Sequence, residues 1–180
     1  MKNVVVLFAD GSEELEAITI VNILRRGGIS VTLAGLTAGP LRGSRGVMLM
    51  PDTTLDDIAS RSFDMIVLPG GQPGTNHLKA DARVLKLVQH MALEGHYVAA
   101  ICAAPSVLAT AGLLDGKHAT AYPGTLTPFH SIKQQNAAVV EDGKLITSRG
   151  PGTAMDFALT LLERLAGAAK RKEVEAGLQR

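Results

Sequence analysis

The stretch that decides the fold is Val98-Ala99-Ala100-Ile101-Cys102-Ala103-Ala104-Pro105, where an apolar strand runs into small residues and a proline. Because proline suits the first position of a helix, the chain is expected to turn from strand to helix at Cys102, the single cysteine. A thiol at a helix start lies near unpaired N–H groups and the positive end of the dipole, which both favour the thiolate. This position predicts a nucleophile with a lowered pKa. The alternative is an inert buried thiol, which is how most isolated cysteines behave.

Short apolar strands alternate with helical patterns on both sides of this stretch. Strands are predicted over 3–8, 30–36, 63–68 and 119–122, helices over 13–26, 81–94 and 105–113, and hairpins over 41–50 and 138–148. A further helix is predicted after Gly152, with Thr153 and Asp156 at the spacing of a capping box. Buried strands separated by amphipathic helices indicate an α/β fold with a mostly parallel central sheet covered on both faces. A single domain over 1–180 is expected, with a C-terminal helix or tail at 168–180.

Composition excludes several classes of partner. The formal net charge of the 180 residues is +1. Nucleic acid and anionic membrane surfaces bind concentrated basic surfaces, so neither is an expected partner. No apolar run approaches the length that spans a bilayer. One cysteine cannot form an internal disulfide, and the N-terminus leads straight into a strand without a signal peptide. These features together predict a location in the reducing cytoplasm.

Three loops are expected to meet at one edge of the sheet. They follow the strands 3–8, 63–68 and 98–101, and they carry the acidic residues near Glu13, the Gly70-Gly71 turn and Cys102. Ligands of open α/β sheets bind at the carboxyl ends of the strands, near the point where strand order reverses. Paired glycines allow a close approach of the backbone, and their N–H groups can face a developing oxyanion. The alternative interpretation of the glycines is an ordinary strand-to-helix turn.

Glu16 is the acid predicted to face the buried side of the first helix. It shares a stripe with Ile20 and Ile23, whereas Glu13 and Glu14 are interpreted as solvated residues of the first turn. Burial and a nearby thiolate would both raise the pKa of Glu16. A protonated Glu16 could then donate a hydrogen bond to Cys102 and move protons. A buried structural acid paired with arginine or backbone is the alternative.

Four separated motifs resemble the ThiJ/PfpI superfamily, in the branch of the parkinsonism-associated deglycase and its bacterial YajL-like relatives. They are Gly11-Ser12-Glu13-Glu14-Leu15-Glu16-Ala17, Leu68-Pro69-Gly70-Gly71, Ala99-Ala100-Ile101-Cys102-Ala103-Ala104-Pro105 and Ser148-Arg149-Gly150-Pro151-Gly152-Thr153. The resemblance implies a flavodoxin-like three-layer α/β/α sandwich and a homodimer. It also implies Cys102 as the reactive cysteine and Glu16 as its protonated partner, with backbone N–H groups from Gly71 and Ala103. Arg45 corresponds to a family arginine near the dimer interface that could help to bind an anion close to the thiol.

The chain departs from the family pattern beside the cysteine. Where some members place a histidine, this sequence has Tyr122, so a full Cys-His-acid triad is not expected. His130 is the histidine that could enter the pocket, and Gly70 and Tyr122 are further candidates to line it. The five histidines lack the spacing of metal ligands, and no phosphate-binding glycine motif is present. Neither a metal nor a cofactor is therefore expected.

The resemblance implies cofactor-independent chemistry on reactive carbonyls. The expected activity is that of a glutathione-independent glyoxalase or deglycase acting on methylglyoxal, glyoxal or early glycation adducts. The alternative is a redox-sensing stress protein or chaperone whose cysteine is oxidised to a stabilised sulfinate. Nucleotide or flavin binding is a third, weaker interpretation, because the chain has no phosphate loop.

Overall fold

A seven-stranded sheet lies at the centre of the computed structural model, which describes residues 1–179. The strands are β1 (Asn3–Phe8), β2 (Ser30–Gly35), β3 (Leu41–Arg42), β4 (Met48–Leu49), β5 (Thr53–Thr54), β6 (Met65–Leu68), β7 (Tyr97–Ile101), β8 (His118–Ala119), β9 (Lys133–Gln134), β10 (Val139–Asp142) and β11 (Leu145–Ser148). The helices are α1 (Glu14–Arg26), α2 (Gly74–Ala80), α3 (Ala82–Leu93), α4 (Pro105–Thr110), α5 (Ala154–Ala166) and α6 (Ala168–Gly177).

The central sheet has the order β10-β11-β7-β6-β1-β2-β5. Every neighbouring pair is parallel except β10 with β11, which form the hairpin at one edge. The predicted mostly parallel sheet is confirmed. Because the chain leaves β1 for β2 on one side and later returns to β6 on the other, strand order reverses beside β1. The carboxyl ends of β1, β6 and β7 therefore meet where a ligand site is expected.

Helices cover both faces of the sheet and give the predicted three-layer sandwich. Along β1, Val4, Val6 and Phe8 pack in the cluster that contains α1 and α5, whereas Val5 and Leu7 pack in the cluster that contains α3 and α4. Alternate side chains of a strand point to opposite faces, so burial on both sides requires the uninterrupted apolar run of β1. None of the helices within residues 1–179 is both long and apolar enough to cross a membrane.

Several local predictions differ from the structure. The chain at Pro73-Gly74 continues into α2, which sequence reasoning missed because these residues are typical of a loop. Helix α4 ends at Thr110 instead of 113, and β8 pairs with β9 in a separate two-stranded parallel sheet. The predicted capping box is wrong, because the Thr153 hydroxyl donates to the Gly150 carbonyl and pairs with Ser148. Beyond α5, α6 packs Val174 into the core.

Candidate active site

Cys102 lies at the carboxyl end of β7 in a strained backbone conformation. Its φ of 64° is in the left-handed region, which a residue with a side chain rarely adopts. Two hydrogen bonds hold it: its N–H donates to the Ser148 carbonyl at 3.0 Å, and its carbonyl accepts the Tyr122 N–H at 2.8 Å. Helix α4 begins at Pro105, so the cysteine precedes the helix instead of lying in its first turn. The predicted strand-to-helix elbow is present, and the Cys102 side chain is nearly buried.

The Gly70-Gly71 turn packs directly against the cysteine. A Cβ added at Gly70 would lie 2.6 Å from the Cβ of Cys102, so only glycine fits there. Gly71 has a φ of 84°, and its N–H, together with that of Ala103, hydrogen-bonds the Cys102 sulfur. The Gly70 N–H has a different role from the one expected, because it donates to Glu16 and is not free for a ligand. The turn therefore supplies one amide to the sulfur and one to the acid.

Glu16 is fully buried beside the thiol. Its Oε2 accepts the Gly70 N–H at 2.7 Å. Among residues 1–179, its Oε1 has no hydrogen-bond partner, and the Cys102 thiol is the neighbouring titratable group that lowers the pKa of this carboxyl. The structure thus brings this acid to this cysteine. It also gives the acid a backbone partner, the Gly70 N–H, as the structural alternative expected, and no arginine within residues 1–179 forms an ion pair with it.

Burial dominates the electrostatics of this pair. It raises the pKa of Glu16 to about 7, against the hydrogen bond from Gly70, which lowers it. Burial and then the charge of ionised Glu16 raise the pKa of the Cys102 thiol, whereas the N–H groups of Gly71 and Ala103 lower it. The lowered thiol pKa expected from the helix start is therefore wrong, because burial and the Glu16 charge together raise it. The two groups behave as one unit, in which a proton on Glu16 removes the charge that opposes the thiolate.

Glu13 and Glu14 are buried, contrary to the expectation that both are solvated. The Glu13 carboxylate caps α1 by accepting the Glu16 N–H at 2.8 Å. Glu14 accepts the N–H groups of Arg45 and Val47 from the β3–β4 hairpin. Burial raises the pKa of Glu14, but its several hydrogen bonds outweigh burial and leave this pKa below its ordinary value. Glu14 therefore fixes the hairpin to α1.

The other predicted site residues, Arg45, His130 and Tyr122, do not bring their side chains into hydrogen-bond contact with the Cys102 thiol. Arg45 is exposed on the hairpin, and its hydrogen bonds run from its backbone to Glu14 instead of reaching the thiol. His130 is exposed and does not line the cavities beside Tyr122, so the structure does not bring it to the cysteine. Tyr122 is 54% exposed and adjoins Cys102 through its backbone. Within residues 1–179, no cluster of three or more His, Cys, Asp or Glu side chains could hold a metal ion.

One known protein family matches most of this chain. A family model described as the DJ-1/PfpI family matches residues 2–164. The chain belongs to the DJ-1/PfpI family. It is 46% identical to the protein dj-1beta of Drosophila melanogaster over 98% of this chain and 96% of that protein. It is 34% identical to the glutathione-independent glyoxalase DJR-1.2 of Caenorhabditis elegans, over 92% of this chain and 89% of the relative.

Solved DJ-1 structures have the same fold. The crystal structure of Drosophila melanogaster DJ-1beta superposes with a TM-score of 0.95 at 46% identity, covering 99% of this chain and 97% of that one. The oxidized DJ-1 of Toxoplasma gondii gives a TM-score of 0.96 at 35% identity, covering 99% of this chain and 98% of that one. The DJ-1 fold thus accounts for nearly the whole chain.

Sequence reasoning missed the part that Glu14 plays in this DJ-1/PfpI chain. Its hydrogen-bond partners lie 30 to 33 positions away in sequence, so the periodicity of α1 gives no sign of them. The signal that could have identified them is the short turn Gly43-Ser44-Arg45-Gly46, whose free N–H groups require an acceptor. Glu14, the first residue of α1, is the acceptor that the structure places there.

Proposed function

We propose that this protein is a cofactor-independent glyoxalase or deglycase that acts on methylglyoxal, glyoxal or early glycation adducts. The observation that carries the proposal is the placement of the chain's one thiol beside a buried carboxyl whose pKa is about 7. A general base works best when its pKa lies near the operating pH. The relative named as a glutathione-independent glyoxalase supports the same chemistry at the level of the family.

The first step is addition of the Cys102 sulfur to the aldehyde carbon of the dicarbonyl. As the S–C bond forms, the thiol proton moves to Glu16 and the carbonyl π electrons become an alkoxide. The N–H groups of Gly71 and Ala103, already directed at the sulfur, lie where they could stabilise that charge. Protonation of the alkoxide then gives a hemithioacetal.

The second step is an internal oxidation and reduction that requires no external oxidant. Glu16, ionised again, removes the proton from the carbon attached to sulfur and delivers it to the neighbouring carbon. The hemithioacetal hydroxyl proton passes to the ketone oxygen, so the ketone becomes an alcohol. The carbon on sulfur becomes a thioester. Water then cleaves the thioester and releases lactate from methylglyoxal, with the thiol regenerated.

Formation of lactate from methylglyoxal without glutathione tests the proposal. The wild-type protein is expected to produce lactate, and Cys102→Ser and Glu16→Gln are each expected to lose turnover by about a hundredfold or more. Glu94→Gln, an exposed acid outside the site, is the matched control and should retain full activity. Turnover that survives in the Cys102→Ser protein would overturn the assignment.

A redox-sensing role is the second candidate. The observation that favours it is the pair of amides at the nearly buried sulfur, which could hydrogen-bond the oxygens of a sulfinate. Intact-mass measurement after mild peroxide distinguishes the two functions. A stable gain of two oxygens on Cys102 with negligible dicarbonyl turnover would favour sensing. We propose the cytoplasm as the location for either function, because a reducing compartment keeps the thiol available.

We also propose that the protein is a homodimer. Five apolar side chains on α1 and the hairpin are between 44% and 67% exposed: Leu15, Ile18, Val47, Met48 and Met50. Because contiguous exposed apolar surface marks an interaction site, this face is the proposed contact between two copies. Light scattering should give twice the chain mass for the wild type and the monomer mass for Ile18→Glu. Leu93→Glu, on the opposite layer, is the control, and an unchanged mass in Ile18→Glu would contradict the proposal.

A further inference from the structure

A groove beside Cys102 is formed by the chain segments that hold the backbone of the cysteine. It is lined by Tyr122, Pro123, Asn136 and residues 149–153. The groove has two adjoining parts of about 390 and 370 Å³, which share Tyr122, Pro123, Asn136 and Arg149. This size suits a small ligand. We refer to it as the Arg149 groove.

The register of the sheet places the backbone of Arg149 beside the backbone of Cys102. Ser148 of β11 pairs with Ile101 of β7, so the residues that follow, Arg149 and Cys102, leave neighbouring parallel strands at the same level. Such strands are about 4.8 Å apart. The guanidinium is held in place by one hydrogen bond, from its Nη1 to the Asn136 Oδ1 at 2.9 Å. A single small molecule could therefore contact both residues.

The charge of Arg149 is not compensated by a carboxylate. Two arginines of the described chain are half-buried, Arg149 and Arg171, and Arg171 is paired with Glu163 at 2.6 Å. Arg149 has no ion pair within residues 1–179, and none of the side chains that line its groove is acidic. Its partner Asn136 is neutral, so most of the five guanidinium N–H donors remain available.

A second polar group of the groove, a threonine hydroxyl, has no hydrogen-bond partner in the part of the chain that the structure describes. Thr120 lines the part of the groove beside Gln134 and Gln135, and this residue is only 1% exposed. Its Oγ1 is buried and has no hydrogen-bond partner within residues 1–179. A buried hydroxyl without a partner costs free energy, which a ligand or a bound water that supplied a hydrogen bond would recover.

We propose that the Arg149 groove binds an anionic group, a carboxylate or a phosphate, on the carbonyl substrate whose aldehyde reacts at Cys102. The inference rests on the proposed function and specifies its substrate class. A guanidinium presents its donors as a fork that matches both oxyanions. Methylglyoxal has no charged group and would leave this fork unused, so the favoured substrates are charged α-oxoaldehydes.

Binding of simple anions tests the groove independently of turnover. Calorimetry would measure the binding of inorganic phosphate and of succinate to the Cys102→Ser protein. The same titrations would be repeated with a double variant that carries both Cys102→Ser and Arg149→Gln. The second substitution is expected to weaken binding of the preferred anion by about tenfold or more. Arg26→Gln is the matched control, because Arg26 also donates to an asparagine, Asn22, but is exposed elsewhere. The tighter of the two probes identifies the anion, and equal affinity with and without Arg149 would overturn the proposal.

Turnover tests whether the anion belongs to the substrate. The measured quantity is kcat/KM for 3-phosphonooxy-2-oxopropanal divided by kcat/KM for methylglyoxal. Arg149→Gln should lower this ratio by about tenfold, chiefly through KM, whereas Arg26→Gln should not change it. Arg149→Lys, which keeps the charge without the fork, should give an intermediate ratio and guards against a folding defect. A ratio unaffected by both Arg149 variants would refute the substrate class. Phosphate binding at Arg149 in a protein that turns over neither aldehyde would refute the proposed function alone.

Discussion

The N–H of Gly70 donates to the Oε2 of Glu16 at 2.7 Å and so holds a fully buried carboxyl group beside the one thiol of the chain. The glycine is required for this contact, because any side chain there would collide with Cys102. The second oxygen of the acid, Oε1, is buried and has no hydrogen-bond partner within residues 1–179. The chemistry of the site therefore depends on a turn that touches both partners.

Stability should fall as pH rises through the titration of Glu16. In the folded protein the pKa of Glu16 is about 7, compared with an ordinary value of 4.5. Between these values the folded state holds a proton that the unfolded chain has released, so the free energy of unfolding decreases by about 3 kcal/mol across the window. Denaturant unfolding from pH 4.5 to 8 measures the effect. In Glu16→Gln the free energy of unfolding should change with pH by that much less than in the wild type. Parallel curves for the two proteins would contradict the raised pKa.

The same substitution should make the thiol ionise at lower pH. The charge of ionised Glu16 raises the pKa of Cys102, and a neutral amide removes that repulsion without changing the size of the side chain. The pH midpoint of Cys102 alkylation by iodoacetamide is expected to shift downward by about one unit or more in Glu16→Gln. Glu94→Gln serves as the exposed control. An upward shift in Glu16→Gln would mean that the wild-type carboxyl stabilises the thiolate as a hydrogen-bond donor throughout the titration.

Glu14→Gln should loosen the β3–β4 hairpin. The carboxylate accepts hydrogen bonds from the Arg45 and Val47 N–H groups, and losing these charge-assisted bonds should cost about 1–3 kcal/mol. Because the pKa of Glu14 is lowered in the folded state, this stabilisation is present above the unfolded pKa and is lost as pH falls. Hydrogen exchange at the two amides is the measurement. Unchanged protection factors would show that the hairpin is held by other contacts.

Gly70→Ala should damage both the fold and the site. The new Cβ would lie 2.6 Å from the Cβ of Cys102 and 2.8 Å from the Ile101 carbonyl, neither of which can move freely. We expect a loss of about 2 kcal/mol in the free energy of unfolding and a fall of about tenfold or more in turnover. Gly177→Ala, where a Cβ meets open space, is the matched control. Full activity in Gly70→Ala would show that the turn adapts.

The architecture and the central pair could be predicted because they depend on local patterns. The continuous apolar run of β1 requires burial on both faces, and the four-residue step from Glu16 to Ile20 requires a buried acid. Chain connectivity then brings the ends of β1, β6 and β7 together. Each of these inferences needs only the period of a helix or strand and the rule that parallel strands end at one edge.

The remaining features depend on neighbours that are distant in sequence. The direction of the Cys102 pKa shift is set by the amount of burial and by the charge of Glu16, which no motif specifies. Glu14 is buried because its carboxylate accepts hydrogen bonds from a hairpin about 30 residues away in sequence. Arg149 stands in a recognisable motif, but its significance comes from the lack of an acid around it, which only the packed chain reveals.

The backbone of Cys102 is fastened to two remote parts of the chain, at Ser148 and at Tyr122. Fraying of the C-terminal hairpin would release the first of these restraints and let the strained elbow relax, while most of the interior stayed packed. The reactivity of the sulfur would thus report on the integrity of one sheet margin before any probe of global unfolding responded.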